Sequence, residues 1–218
     1  KTIRYGLAAI KNVGIAAMDS LVAERTQNGP FKSLEDFIQR VDSKCLNKRL
    51  LENLIAAGAF DSLVPERHQL FASIDQLTAY GAETKKSKAT SQANLFMQED
   101  SDDSFNKIKL NHALPWTSLE KAQHEFDAIG FYLSEHPLDR YGKVLEEKNF
   151  TRYGDLIQQS FDKKGKSVEL AGVVLAKKER VSKNGNKFAF IQFSDSSGVF
   201  EGVVFSEVFH KSRALLEP

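Results

Sequence analysis

The feature that most constrains this chain is a change of hydrophobic period near residue 166. Before it, apolar residues recur three and four apart, the spacing of a helix face. After it they alternate at every second position, the spacing of a strand. A chain of 218 residues that changes period once is read as multi-domain, α then β.

The helical part carries its own punctuation. Ile15, Met18, Leu21, Val22 and Arg25 follow helical spacing, and Asn28-Gly29-Pro30 stops that helix. Ser33, with Asp36 three residues on, approaches a capping box ahead of the face Leu34, Phe37, Ile38 and Val41. Asn47 is expected to cap the next helix, with Leu50, Leu51, Leu54 and Ile55 inward and Gly58 as its stop. Another helix is expected from near Pro65, with Leu70, Phe71, Ile74 and Leu77 inward. From Gly81 to about Asn106 the pattern gives way to Lys, Ser, Thr, Gln, Glu and Asp, which reads as a loop or flexible linker. Thr117 and Glu120 form a capping box for a helix faced by Leu119, Ala122, Phe126 and Ile129, ending near Gly130. An extended stretch into Pro137 and a short helix at about Asp139 to Lys148 follow.

The strand part is predicted as a meander. Val168 to Val181 is long and β-branched, and Ser182-Lys183-Asn184-Gly185-Asn186 is a hairpin signal. Phe188, Phe190 and Gln192 fall on one face of the next strand, and Ala189, Ile191 and Phe193 on the other. Asp195-Ser196-Ser197-Gly198 turns into a third strand, Val199 to Phe205, and Glu207 to Leu216 reads as a helix. Three strands and a helix are how a five-stranded oligonucleotide-binding (OB) barrel begins, so a partial OB-fold is expected. The expected divisions are 1–80, 81–113 as linker, 114–165 as helical connector, and 166–218 as partial barrel.

Charge is informative only locally. The net charge is +1, yet Lys163 to Lys187 holds eight Lys/Arg against Glu169 and Glu179, and Glu99 to Asp103 holds four carboxylates. No apolar run approaches the roughly 18 residues of a membrane span. The single Cys45 rules out an internal disulfide, and a cytoplasmic setting is expected. The absence of Met at position 1 leads us to expect a piece of a longer protein.

Three places could carry binding. Lys11-Asn12-Val13-Gly14, between helical segments, has the make-up of a helix-hairpin-helix turn, whose backbone N–H groups would face a DNA phosphate. Such a turn reads backbone and not bases; taken alone it also fits a plain helical hairpin. Leu54 to Phe60 resembles a degenerate second copy without a basic residue, expected to serve packing. Gln92, Leu95 and Phe96 put a hook and an aliphatic-aromatic plug into a polar stretch, which suits a small pocket on a partner or a fold-back onto its own domain. Lys177, Lys178, Arg180, Lys183 and Lys187 flank the first hairpin beside Phe188 and Phe190, a recipe for single-stranded DNA. The phenylalanines fit a barrel core as well. Asp100 and Asp102 lack the rigid sheet that shared metal ions need. The five histidines show no ligand spacing, and no glycine-rich phosphate loop occurs.

Several strings then coincide. Gly6 to Gly14, Phe31 to Phe37, Leu54 to Asp61, Glu125 to Ser134, His136-Pro137-Leu138, the strand from Val168 and Phe205 to Phe209 resemble, in order, the bacterial DNA polymerase III alpha subunit family. The resemblance implies a DNA-directed DNA polymerase as parent, with tandem helix-hairpin-helix units on duplex DNA. It also implies an internal peptide that binds the sliding clamp, contacts with other replisome subunits, and an OB domain near single-stranded template. The family's catalytic palm and its Mg-binding aspartates have no counterpart here, so no catalytic residue and no cofactor is assigned to this chain. Glu135 stands where the family usually has Gly. A repair or recombination factor built from helix-hairpin-helix and OB units is the alternative.

Overall fold

The computed structural model describes residues 5–89, 108–158 and 167–217. The chain divides into two compact units, Lys1–Leu133 and Ser134–Pro218. Among the described residues no helix is long and apolar enough to cross a membrane.

Local hydrogen bonds fix the helix ends of the first unit. Helix α1 (Ile15–Asn28) stops at Gly29, whose φ of 83° suits a residue without Cβ. Helix α2 (Leu34–Arg40) is capped by the Ser33 hydroxyl, which accepts from the Asp36 N–H at 3.2 Å. The Asp36 carboxylate reaches past Ser33 to the Lys32 N–H at 2.8 Å, so the expected box is displaced by one residue. That backbone bond, ahead of the Arg40 guanidinium, holds the Asp36 carboxyl below its usual range. Asn47 caps α3 (Lys48–Ala56) through the Leu50 N–H at 2.9 Å. Thr117 and Glu120 close a full capping box on α6 (Ser118–Ile129), which ends on left-handed Gly130. Each such cap contributes about 1 kcal/mol.

The apolar faces meet in one core. Leu34, Phe37 and Ile38 from α2, with Val41 just after it, pack with Leu50, Leu51, Leu54 and Ile55 from α3. Phe37 stands edge-on to both Phe31 and Phe60, with ring centroids 5.1 and 5.0 Å away. Cys45 is fully buried, its Sγ donating to the Ala17 carbonyl, and burial pushes its thiol pKa up. From α1, Ala17, Met18 and Leu21 face inward, whereas Ile15 is 68 % exposed.

The helix expected from near Pro65 is two helices, α4 (Arg67–Phe71) and α5 (Ile74–Ala89). The break carries the buried Ser73, whose hydroxyl donates to the Gln69 carbonyl and accepts from the Asn111 N–H. The linker expected from Gly81 is helical as far as Ala89, and the boundary expected at residue 80 is absent. Gly81 is buried against Leu46 and Ile38, where a Cβ would collide with the Leu46 side chain, so the polar residues after it ride on a packed turn. Ile108 and Leu110 pack back against the same core, and the Ile108 N–H donates to Glu35.

In the second unit, α7 (Gly142–Glu147) and α8 (Tyr153–Gln158) precede an antiparallel sheet in the order β1 (Val173–Val181), β2 (Lys187–Asp195), β3 (Gly198–Val204). The strand expected from Val168 starts at Val173, and Leu170 makes only an isolated bridge to Thr151. Gly185, at φ 79°, closes the first hairpin. Asp195 Oδ1 accepts from the N–H groups of Ser197 and Gly198 and closes the second, while its Oδ2 accepts from the Tyr153 N–H. Ala189 and Ile191 pack under Phe209 of α9 (Ser206–Ser212) and Leu216. A helical first unit and a three-stranded meander closed by a helix are consistent with the expected partial OB-like fold.

Candidate nucleic-acid interface

The turn at Lys11–Gly14 is pinned from below. Ile10 and Val13 are 4 % and 7 % exposed, and the Lys11 N–H donates to the Ala128 carbonyl of α6 at 2.9 Å. The residue that turns the chain is Asn12, at φ 61°, and not Gly14, which is extended at φ −75°. Asparagine is the non-glycine side chain best suited to that region. The helical segment before the turn is a single 3-10 turn, Leu7–Ala9.

Gly14 is the N-cap of α1 and supplies no side-chain acceptor. Gly14, Ile15 and Ala16 are all exposed, and a Cβ on Gly14 would meet nothing within 4 Å. The first turn of α1 holds no acidic residue. A 14-residue helix therefore presents its positive end and its first free N–H groups to solvent, with open space in front. The Lys11 ammonium lies 5.8 Å from the centre of the Phe126 ring, beside α6. The Val13 side chain belongs to the core, which leaves only its backbone for a ligand.

The second turn is closed by a different device. Gly58 has φ 79°, and a Cβ there would overlap the Arg67 guanidinium. Arg67 donates through Nη1 to the Ala56 carbonyl at 3.0 Å and to Glu125 Oε1 at 2.8 Å. Its Nε and Nη2 hold Asp61 at 2.7 and 2.6 Å. Burial works to lower the Arg67 pKa, but the two carboxylates outweigh it and the pKa is raised. Glu125 is 0 % exposed and also accepts from the Leu133 N–H. The degenerate copy thus serves packing, as expected. It fixes α6, and α6 in turn holds the first turn through Ala128 and Phe126.

On the sheet, a bulge between Val174 and Ala176 sets which β1 side chains share a face. Lys178 lies opposite Phe190, Arg180 opposite Phe188, and Ala176 opposite Gln192. This face is turned away from Ala189, Ile191 and Phe209, so Phe188 and Phe190 do not fill the core of the unit. Their rings stand 5.6 Å apart, edge to face. Lys177 points to the other side, where it is 12 % exposed and paired with Glu217 and Glu179. Lys183 and Lys187 are exposed, at the hairpin tip and at the start of β2. The five expected cations therefore do not form one group: Lys178 and Arg180 flank the phenylalanines and Lys177 is engaged elsewhere. Glu201, opposite Gln192 on β3, completes the aromatic face and was not singled out from sequence.

Gln92, Leu95 and Phe96 lie outside the described residues, as do Lys163, Lys164 and Lys166. Among the described residues, no group of three or more His, Cys, Asp or Glu stands together to hold a metal ion.

Residues 1–70 match a family described as "Helix-hairpin-helix motif". The chain is 36 % identical over 216 residues, 99 % of its length, to DNA polymerase III subunit alpha of Caulobacter vibrioides. It is 40 % identical over 202 residues, 93 % of its length, to that of Neisseria meningitidis serogroup B, and 32 % over 219 residues, 99 % of its length, to that of Escherichia coli K12. It spans 18 %, 17 % and 18 % of the lengths of these three relatives.

Proposed function

We infer that this chain, a fragment of the bacterial DNA polymerase III alpha subunit family, guides DNA and tethers the enzyme without carrying its chemistry. Lys11, Asn12, Val13 and Gly14 grip the backbone of duplex DNA. Lys178, Arg180 and the adjacent phenylalanines take single-stranded DNA, with Lys183 and Lys187 adding charge at the hairpin. Gln92, Leu95 and Phe96 plug into a sliding clamp. The parent activity in this reading is template-directed DNA synthesis in the bacterial cytoplasm, together with other replisome subunits.

The observation that carries the reading is the open N-terminus of α1 behind left-handed Asn12. A phosphate there receives free N–H groups and the positive end of a helix dipole, with no base contact. Supporting it, the turn itself, Lys11 to Gly14, lies within the stretch matched by the helix-hairpin-helix family.

The clamp arm separates a replicase from the alternative repair or recombination factor. Titrating the full chain against a bacterial sliding clamp is expected to show saturable binding. Leu95→Ala with Phe96→Ala abolishes it and leaves duplex affinity unchanged. Duplex binding without clamp binding would favour the repair-factor reading.

A further inference from the structure

The sheet face that carries Phe190 also carries a pair of polar side chains that phosphate binding does not use. Gln192 on β2 and Glu201 on β3 are directly opposite one another, two residues along each strand from Phe190 and Val203. Residues so paired hold their Cβ atoms about 5 Å apart on the same side of the sheet. Ala176, Lys178, Arg180, Phe190, Gln192 and Glu201 line one groove of about 420 Å³, which Lys177 also borders although its ammonium is paired with Glu217 and Glu179. Among the described residues neither Gln192 nor Glu201 makes a side-chain hydrogen bond or ion pair, and both are exposed. Lys178 and Arg180 are likewise without a carboxylate partner there. The face thus grades from cations beside aromatic rings to an amide beside a carboxylate.

We propose that this groove is a nucleobase subsite that selects cytosine and adenine over thymine and uracil. The inference rests on the single-strand reading given above. A base stacked on Phe190 has its sugar-phosphate beside Lys178 and Arg180, which sets charge against charge. Its edge then lies over Gln192 and Glu201. The Glu201 carboxylate only accepts, so it needs a donor; cytosine N4 and adenine N6 supply one. The Gln192 amide donates to the neighbouring ring nitrogen, which is unprotonated in both of those bases. Thymine and uracil place a carbonyl oxygen where the amine would be, facing the carboxylate. Ala176, opposite Gln192 on β1, leaves that side of the groove open.

The test is fluorescence anisotropy of the full chain with 12-nucleotide dC and dU homopolymers, whose edges differ by exchange of the amine for a carbonyl and of the unprotonated N3 for an N–H. The dC strand is expected to bind about 3- to 10-fold more tightly, the size of one net hydrogen bond. In Glu201→Gln, whose amide can donate as well as accept, the preference disappears while dU affinity holds or rises. Phe190→Ala weakens both strands alike. Equal affinity of the unaltered chain for dC and dU, or a preference that survives Glu201→Gln, overturns the proposal and leaves single-strand binding standing. Failure of both strands to bind overturns the single-strand reading and the proposal together.

Discussion

Arg67 Nη1 stands 2.8 Å from Glu125 Oε1, and that carboxylate has no exposure to solvent. The pair joins α4 to α6 across 58 residues of sequence, and Asp61 and the Ala56 carbonyl complete the guanidinium's partners. Removing one member leaves the other buried and short of a partner. Glu125→Ala is expected to cost about 3 kcal/mol or more of stability in urea unfolding. The double variant Arg67→Met with Glu125→Leu should recover much of it. Equal losses in the single and double variants would mean that the cost does not come from stranding the Arg67 guanidinium.

Asn12 at φ 61° separates backbone strain from side-chain chemistry. Asn12→Val is expected to cost about 1–2 kcal/mol, the penalty of a β-branched residue in the left-handed region. Asn12→Gly should change stability by less than about 0.5 kcal/mol, because glycine adopts that conformation freely. Urea midpoints of the two variants decide the matter. Similar losses in both would assign the role to the asparagine amide.

His136 makes the second unit sensitive to acid. Its Nδ1 accepts from the Leu138 N–H at 3.1 Å, and its Nε2 stands 3.0 Å from the Ser194 hydroxyl. Burial pushes the imidazole pKa below its ordinary 6.5, against Asp139 and Asp195, which raise it. The unfolded chain therefore binds a proton before the folded one does as pH falls. The stability from neutral His136 is whole above 6.5 and is lost as pH drops through the folded pKa. Hydrogen-exchange protection at Ala189 and Ile191, corrected for the intrinsic slowing of exchange in acid, is expected to fall as pH drops below the ordinary 6.5, and His136→Gln should flatten that fall. Burial works to raise the Asp195 pKa, but the bonds from Ser197, Tyr153 and Gly198 together outweigh it and hold the carboxyl below its ordinary value of 3.8. Its contribution is lost only in stronger acid.

What the sequence disclosed and what it hid follow from range. Caps were legible because Ser33, Asn47 and Thr117 act on backbone groups three residues away. The core faces of α2 and α3 were legible from their spacing. Glu125 reads as a surface residue because its partner Arg67 is far off in the chain. The extension of α5 was hidden because its polar residues follow a Gly81 whose burial depends on Leu46 and Ile38. Among the basic residues, Lys177 and Lys178 are indistinguishable in sequence. The bulge before Ala176 and the pairing to Glu217 send one to each face. The turn at Lys11–Gly14 was found by residue type, but the division of labour was not: Asn12 bends the chain, and Gly14 keeps the helix end clear.

The central claim is that the open end of α1 receives a DNA phosphate, and Gly14→Asp tests it most directly. An aspartate at this N-cap satisfies the helix N–H groups from within and sets a carboxylate in the phosphate's place. Nothing stands within 4 Å to obstruct its Cβ. The full chain is expected to bind duplexes of unrelated sequence with equal affinity that falls steeply with salt. Gly14→Asp should unfold at the same or slightly higher urea concentration, yet bind duplex about tenfold or more weakly, the size of one charge-assisted hydrogen bond. A folded Gly14→Asp protein that binds duplex as tightly as the unaltered chain would contradict the account.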